Sequence, residues 1–244
     1  MTRTLLVGDV HGCAQELDDL LQVVGYLPGR DQLVLVGDLV ARGPDSRGVL
    51  ERLLDYQAVS VRGNHDDKLL NWWRVARRDG EREAHQQVRL SERHREVASS
   101  LKRRHFEAIE AMPLLLRLPE HGALVVHAGL DPARRPEETP EEAMLTARSV
   151  DAEGRLSKRL AGVPWASRWA GPEQVVFGHD ARRGLQLHAF ATGLDTGCCY
   201  GRFLTALVLD RRQPVPADIE ARRGLLAQVA ARAEHYPMSG NGQD

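Results

Sequence analysis

Apolar, β-branched runs recur at residues 5–7 (Leu-Leu-Val), 33–36 (Leu-Val-Leu-Val), 124–126 (Leu-Val-Val) and 175–177 (Val-Val-Phe), with a weaker one at 59–61 (Val-Ser-Val). Runs this short and this uniformly apolar read as buried strands. Between the early runs lie amphipathic stretches. Residues 13–24 set Leu17, Leu20, Leu21 and Val24 on one helical face, and residues 46–56 repeat this with Val49, Leu50, Leu53 and Leu54. Strand–turn–helix units of this kind predict an α/β sheet covered by helices. From about 66 to 112 the pattern turns helical and highly charged. Strands are predicted again at 123–127, 174–178, 189–194 and 203–209. Pro214 and Pro216 are expected to end the sheet region, residues 218–233 read as a helix, and the last ten or so residues as a frayed tail.

The strand runs end on clusters that pair Asp, Asn or His with glycine: residues 8–12 (Gly-Asp-Val-His-Gly), 37–38 (Gly-Asp), 63–65 (Gly-Asn-His), 127–129 (His-Ala-Gly) and 178–179 (Gly-His). Any one of them alone is ordinary turn chemistry. Turn formation gives no reason, however, to place histidine at 11, 65, 127 and 179 in a chain with 10 His. Ligand-type residues at successive strand ends imply one site at one edge of a sheet. Hard oxygen donors mixed with imidazole, and no cysteine, favour divalent manganese, iron or zinc.

In these motifs the chain resembles the calcineurin-like (PPP-type) metallophosphoesterases, whose pattern is GDxHG, GDxxxRG, GNH, HAG and GH. The second motif here is residues 37–43, Gly-Asp-Leu-Val-Ala-Arg-Gly. The resemblance, over roughly residues 4–210, implies a four-layer sandwich of two mixed β-sheets flanked by helices, with a basic helical lid at about 68–112. It implies a catalytic domain over 1–212, with 213–244 as a C-terminal helix and tail. It also implies two divalent ions, manganese first, with iron, zinc, cobalt or nickel also suited. Asp9, His11 and Asp38 would hold one ion. Asp38 would bridge to a second, completed by Asn64, His127 and His179. His65 matches the general acid, Arg42 a phosphate clamp and Arg148 a second clamp. The residue types suit these roles: paired cations activate a hydroxide and neutralise phosphoryl charge, and arginine presents a fork matched to phosphate oxygens.

In the protein phosphatases of this family an acid precedes the motif arginine and pairs with the general-acid histidine. Here that position is Ala41, so His65 needs another partner. Residues 37–44 and 194–201 (Leu-Asp-Thr-Gly-Cys-Cys-Tyr-Gly) resemble instead the symmetrical diadenosine tetraphosphatase branch, although the stretch between His127 and His179 is short for it. The implied reaction is symmetrical cleavage of diadenosine tetraphosphate to two ADP. The alternative is a serine, threonine or tyrosine protein phosphatase using the same site, and capped RNA ends are a further substrate to consider. A non-catalytic scaffold would be expected to have lost ligands, and all six are present.

Residues 74–104 hold ten Lys or Arg against five Asp or Glu, a local +5 in a chain of net charge −1. They form either a solvated face or a polyphosphate-binding lid, in which Arg77, Arg78 and Arg82 are the candidates. Tyr200 is a candidate for stacking on a nucleobase. Trp72, Trp73, Trp165 and Trp169 are expected to pack in the interior. His85, His94, His105, His121, His188 and His235 lack a strand–Gly context and are expected not to be ligands. Asp66 and Asp67 are expected to start a helix, and Asp195 to shape a turn. At 244 residues and 42% hydrophobic content the chain suits one large core. Its near-neutral charge argues against duplex nucleic acid as a partner. The three cysteines, two of them adjacent, make no disulfide framework. With no leader before Leu5 and no membrane-length apolar run, the expected placement is cytoplasmic, with no membrane partner.

Overall fold

The structure, a computed structural model, describes residues 2–238. Strand β1 (Arg3–Val7) lies between β2 (Gln32–Leu35) and β12 (Phe203–Asp210), and β3 (Val59–Ser60) and β13 (Leu226–Ala230) complete the sheet in the order β13-β12-β1-β2-β3. β1, β2 and β3 run parallel, while β12 and β13 are antiparallel additions. A second sheet has the order β10-β11-β9-β5-β4, from β4 (Leu115–Leu118), β5 (Ala123–Val126), β9 (Gln174–Phe177), β10 (Gln186–Leu187) and β11 (Ala191–Gly193). Its central strands β5, β9 and β11 are parallel. Both sheets are therefore mixed, as expected.

Strand alternation divides the apolar residues between the two faces of each sheet. Leu6, Val34, Val36 and Val61 of the first sheet meet Val125, Val176 and Leu194 of the second, so the sheets pack face to face. Leu5, Val7, Leu33 and Leu35 point the other way, onto α1 (Ala14–Val23) and α2 (Ser46–Asp55). The outer face of the second sheet, Leu124, Val126, Val175 and Phe177, is covered by Met144 of α7 (Glu141–Thr146) and by Trp165 and Trp169. Beside it lies a small antiparallel sheet of β6 (Ser149–Val150), β7 (Leu156–Ser157) and β8 (Val163–Pro164), which the sequence pattern did not announce.

Residues 64–110 form α3 (Asn64–Asp79), α4 (Glu81–Gln87), α5 (Glu92–Ser100) and α6 (Arg103–Glu110). They are helical as expected, but they act less as a lid than as part of the main core. Leu69, Leu70, Trp72, Trp73, Ala98, Phe106 and Ile109 are buried with the helices of the first sheet. Half of the ten basic residues at 74–104 pair nearby: Arg74 with Glu110, Arg78 with Asp79, Arg93 with Glu96, Arg103 with Glu107 and Arg104 with Glu51.

The C-terminal part departs from expectation. Only α8 (Ile219–Arg223) is helical within 218–233, and the chain then returns as β13 to pair with β12. The boundary expected at 212/213 thus falls inside the first sheet. Residues 235 and 236 are pinned by backbone bonds to Cys199 O, and 239–244 lie outside the described residues. Among the described residues no helix is long and apolar enough to cross a membrane.

Candidate metal centre

The parallel strands bring their carboxyl ends, and hence the glycine-flanked clusters, to one place, where open α/β sheets commonly bind ligands. Asp38 sits at the centre. Its Oδ2 is 3.4 Å from His127 Nε2 and 3.5 Å from His11 Nε2, and its Oδ1 accepts from the His65 backbone N–H at 2.9 Å. Two donor sets form around it. Atoms of His11, Asp38 and His65 lie within 4.8 Å of one another, as do atoms of Asp38, His127 and His179. Asn64 Oδ1 is 3.1 Å from His127 Nε2, which adds a neutral oxygen to the second set. Asp9 stands beside them, both carboxylate oxygens accepting from the His179 backbone N–H at 3.0 and 3.1 Å. His11, Asp38, Asn64, His127 and His179 therefore converge together with His65, while Asp9 stands beside them and belongs to neither donor set; no cysteine is among the six candidate ligands.

The ligand imidazoles are oriented from behind. His11 Nδ1 lies 3.1 Å from Val40 O, and His127 Nδ1 lies 2.9 Å from Val36 O, which leaves Nε2 of each toward Asp38. The glycines are required by proximity. A Cβ on Gly63 would collide with Asp38, and one on Gly178 with Asp9.

Charge is concentrated here out of water. Burial raises the Asp9 carboxyl well above the usual range, helped by Asp195 and Asp38. Burial would raise Asp38 too, but His127, His65 and His11 hold it well below. Burial works against a proton on His127, yet Asp38 and then Asp9 raise it to about 10. His11 is lowered to about 3, by burial and then by Arg42. A desolvated pocket of carboxylates that draws a proton onto His127 is one that favours cations, and the oxygen and imidazole donors suit hard or borderline divalent ions. The cleft over Asp38, Asn64 and His179 measures about 20 Å³, room for an ion or a water but not a nucleotide.

Around its mouth stand Arg42, Arg148, Arg182, Tyr200 and Met238. Arg42 donates to His11 Nε2 at 3.0 Å, and its guanidinium lies 5.3 Å from the Tyr200 ring centre and 5.9 Å from that of Tyr236. Arg148 donates to Lys158 O at 3.2 Å, and Arg183 accompanies it by donating to Arg148 O and Ser149 Oγ. His65 is buried, with its ring edge-on to His11 at 5.0 Å.

Arg77, Arg78 and Arg82 are not brought to this site. Arg77 and Arg78 are at the far end of α3 from Asn64, about 20 Å along the axis at 1.5 Å per residue. Arg77 instead covers the Trp73 ring at 4.6 Å.

Several neighbours carried no sequence signal of their own. Asp66, expected to start a helix, does so by accepting from Gly63 N, but it also accepts from Leu39 N and Val40 N and so ties two clusters together. Tyr236 and Met238 reach the cleft from the C-terminal segment. His94, on α5, hydrogen-bonds to His65. The absence of an acid at Ala41 was the one sign that such a partner was needed.

The calcineurin-like phosphoesterase family pattern matches residues 2–183. The asymmetrical bis(5'-nucleosyl)-tetraphosphatase of Oceanobacillus iheyensis is 27% identical over 91% of this chain and 94% of its own. The symmetrical bis(5'-nucleosyl)-tetraphosphatase of Shewanella baltica is 28% identical over 86% of this chain and 95% of its own. A crystal structure described as that of a candidate diadenosine tetraphosphatase superposes with a TM-score of 0.77 at 37% identity, covering 94% of each chain.

Proposed function

From the premise that the chain belongs to the calcineurin-like phosphoesterase family, we propose that it hydrolyses dinucleoside polyphosphates, cleaving diadenosine tetraphosphate symmetrically into two ADP. The observation that carries the reading is Asp38 shared between two sets of donor atoms at the strand ends. Relatives named tetraphosphatases over nearly their whole length support the substrate. The symmetrical mode rests on the motifs at 37–44 and 194–201, since the relatives carry both names.

Asp9, His11 and Asp38 would hold one divalent ion, manganese being the first choice, with Asp9 joining His11 and Asp38 of the first donor set in place of His65. Asp38, Asn64, His127 and His179 would hold the other. Bound there, the pair would supply Lewis acidity at phosphorus and would lower the pKa of a water. Arg42 and Arg148 bind the oxygens of the phosphoryl group under attack, and a nucleobase beyond them meets Tyr200. As water oxygen adds to phosphorus and the bridging P–O bond breaks, His65 gives a proton to the departing phosphate oxygen. Burial first, with Arg42 adding to it and Asp38 opposing, holds the proton affinity of His65 well below the ordinary imidazole range. A bound polyphosphate adds negative charge and acts with Asp38.

The test is product analysis with manganese supplied. ADP alone from diadenosine tetraphosphate, abolished by Asp38→Asn, is expected. AMP plus ATP would replace the symmetrical mode with the asymmetrical one. Higher efficiency on a phosphopeptide than on the tetraphosphate would reject the substrate class.

A further inference from the structure

With Ala41 where the protein phosphatases of this family carry an acid, nothing in the second motif can hold the ring of His65. The structure supplies a partner from elsewhere. His94 Nε2 lies 3.0 Å from His65 Nδ1, and the two rings are parallel to within 6° with centroids 5.0 Å apart. Two face-to-face rings would not place edge nitrogens so close at that centroid separation. These values describe rings nearly sharing one plane, meeting edge to edge, as an in-plane N–H···N bond requires. His94 is itself fixed. Its Nδ1 is 2.7 Å from Ser91 Oγ, and Ser91 caps α5 by accepting from the His94 backbone N–H at 3.4 Å. His94 is 4% exposed and contacts none of the six proposed metal ligands through a hydrogen bond. His65 Nε2 is buried and, among the described residues, makes no hydrogen bond, so one edge of the ring is engaged and the other is left for a substrate.

We infer that His94 is the positioning residue for His65, taking the place of the missing acid at position 41 by accepting the His65 Nδ1 proton and so directing Nε2 at the leaving oxygen. With its own single proton on Nδ1, held by Ser91 Oγ, His94 presents a lone pair on Nε2. Burial together with the nearby Lys68 charge lowers its proton affinity, which keeps that lone pair free at neutral pH. The segment at 68–112 thus acts on the reaction through α5, as an arm that braces the general acid. A neutral acceptor orients the ring as a carboxylate would, without adding a charge beside the metals.

The inference rests on the proposed role of His65 as general acid, and the test separates the two. kcat is measured for the manganese-loaded full chain on phenyl phosphate, whose leaving group needs a proton, and on p-nitrophenyl phosphate, whose leaving group hardly does. His65→Gln is expected to lose at least about 100-fold on phenyl phosphate and much less on p-nitrophenyl phosphate. His94→Leu, which preserves packing, is expected to show the same asymmetry, about 10-fold or more on phenyl phosphate, with KM little changed. His94→Gln, whose amide oxygen can accept the same proton, is expected to recover most of the loss. Ser91→Ala, a milder change that keeps the ring in place, is expected to shift the ratio in the same direction. If His65→Gln loses equally on both substrates, the acid role of His65 falls and the inference with it. If His65→Gln shows the asymmetry but His94→Leu and Ser91→Ala do not, or if Gln serves no better than Leu, the inference is overturned while the role of His65 stands.

Discussion

Gly178→Ala isolates one proposed ligand, Asp9, without replacing it. Gly178 has no positive φ, so alanine is allowed by the backbone and only the new methyl matters. That Cβ would overlap Asp9 Oδ1 outright and stand 3.0 Å from Asp9 Cγ and 2.8 Å from Val36 Cγ2. Carbon contacts settle at about 3.5–4.0 Å. Val36 is fully buried in the inter-sheet core and gives little, so the Asp9 carboxylate must retreat by about 1 Å and surrender its bonds to His179 N. A displacement of that size at a reacting centre costs about 100-fold in rate, or about 2.7 kcal/mol. The assay is kcat/KM on diadenosine tetraphosphate, with bound manganese counted by elemental mass spectrometry and the fold checked by circular dichroism. Occupancy is expected to fall below that of the parent. Gly224→Ala is the control: φ is −65°, the nearest atom to its Cβ is 3.4 Å away, and no change is expected. If Gly178→Ala keeps full manganese and lies within about threefold of the parent, Asp9 is not a ligand and the proposed assignment of the first ion fails.

Two further outcomes follow from charge and distance. His94 is lowered to about 4, by burial first, against an unfolded value of 6.5. A group that resists protonation when folded stabilises above the unfolded value and loses that contribution as pH falls toward the folded one, so the window is pH 6.5 down to 4. In metal-free protein, urea unfolding at pH 7 and pH 5 is expected to show the parent losing about 2 kcal/mol more than His94→Gln. Equal losses would mean that His94 titrates normally. Replacing Arg77, Arg78 and Arg82 together with Gln is expected to leave KM for the tetraphosphate within about twofold at 0.15 M salt, where screening acts over about 8 Å. A several-fold rise would place these residues against the substrate.

The candidate metal centre was legible because every candidate ligand follows closely on a strand end, Asp9 and His11 sharing that of β1. An apolar run, a glycine and an Asp or His within a few residues are a local signal, and parallel pairing then gathers the ends. What was not legible comes from longer reach. Tyr236 and Met238 arrive on a segment without periodicity, held by backbone bonds to Cys199 O and an Arg202–Met238 contact. His94 sits in a charged helical stretch where histidine is unremarkable, and only its bond to His65 sets it apart. Residues 226–230 were misread because Leu, Ala and Gln suit a helix intrinsically. The exposed edge of β12 offered a ladder that overrode propensity, and Gly224 was the stop signal available at the end of α8.

The backbone at the site also bears on why Asp38, more than any other candidate ligand, would decide whether a metal centre forms. His11, Asp38, Ala41, Arg42 and His179 all adopt positive φ, between 48° and 70°, a region that costs non-glycine residues about 1–3 kcal/mol each. Such conformations persist only where the surroundings over-determine them. Here hydrogen bonds at and beside them do so: His11 N donates to Asp38 O, Ala41 N to Ser46 Oγ and His179 N to Asp9, while Asp66 accepts from Leu39 N and Val40 N, between Asp38 and Ala41, and from Gly63 N. Burial, and next the nearby Asp38, raise Asp66 to about 7, and both of its oxygens accept from backbone N–H groups, so it serves as a brace. Asp38 is in both donor sets, and its loop is tied through Asp66 to the loop that carries Asn64 and His65. Disturbing Asp9 or His179 therefore removes one side of the site, whereas disturbing Asp38 or Asp66 releases both together.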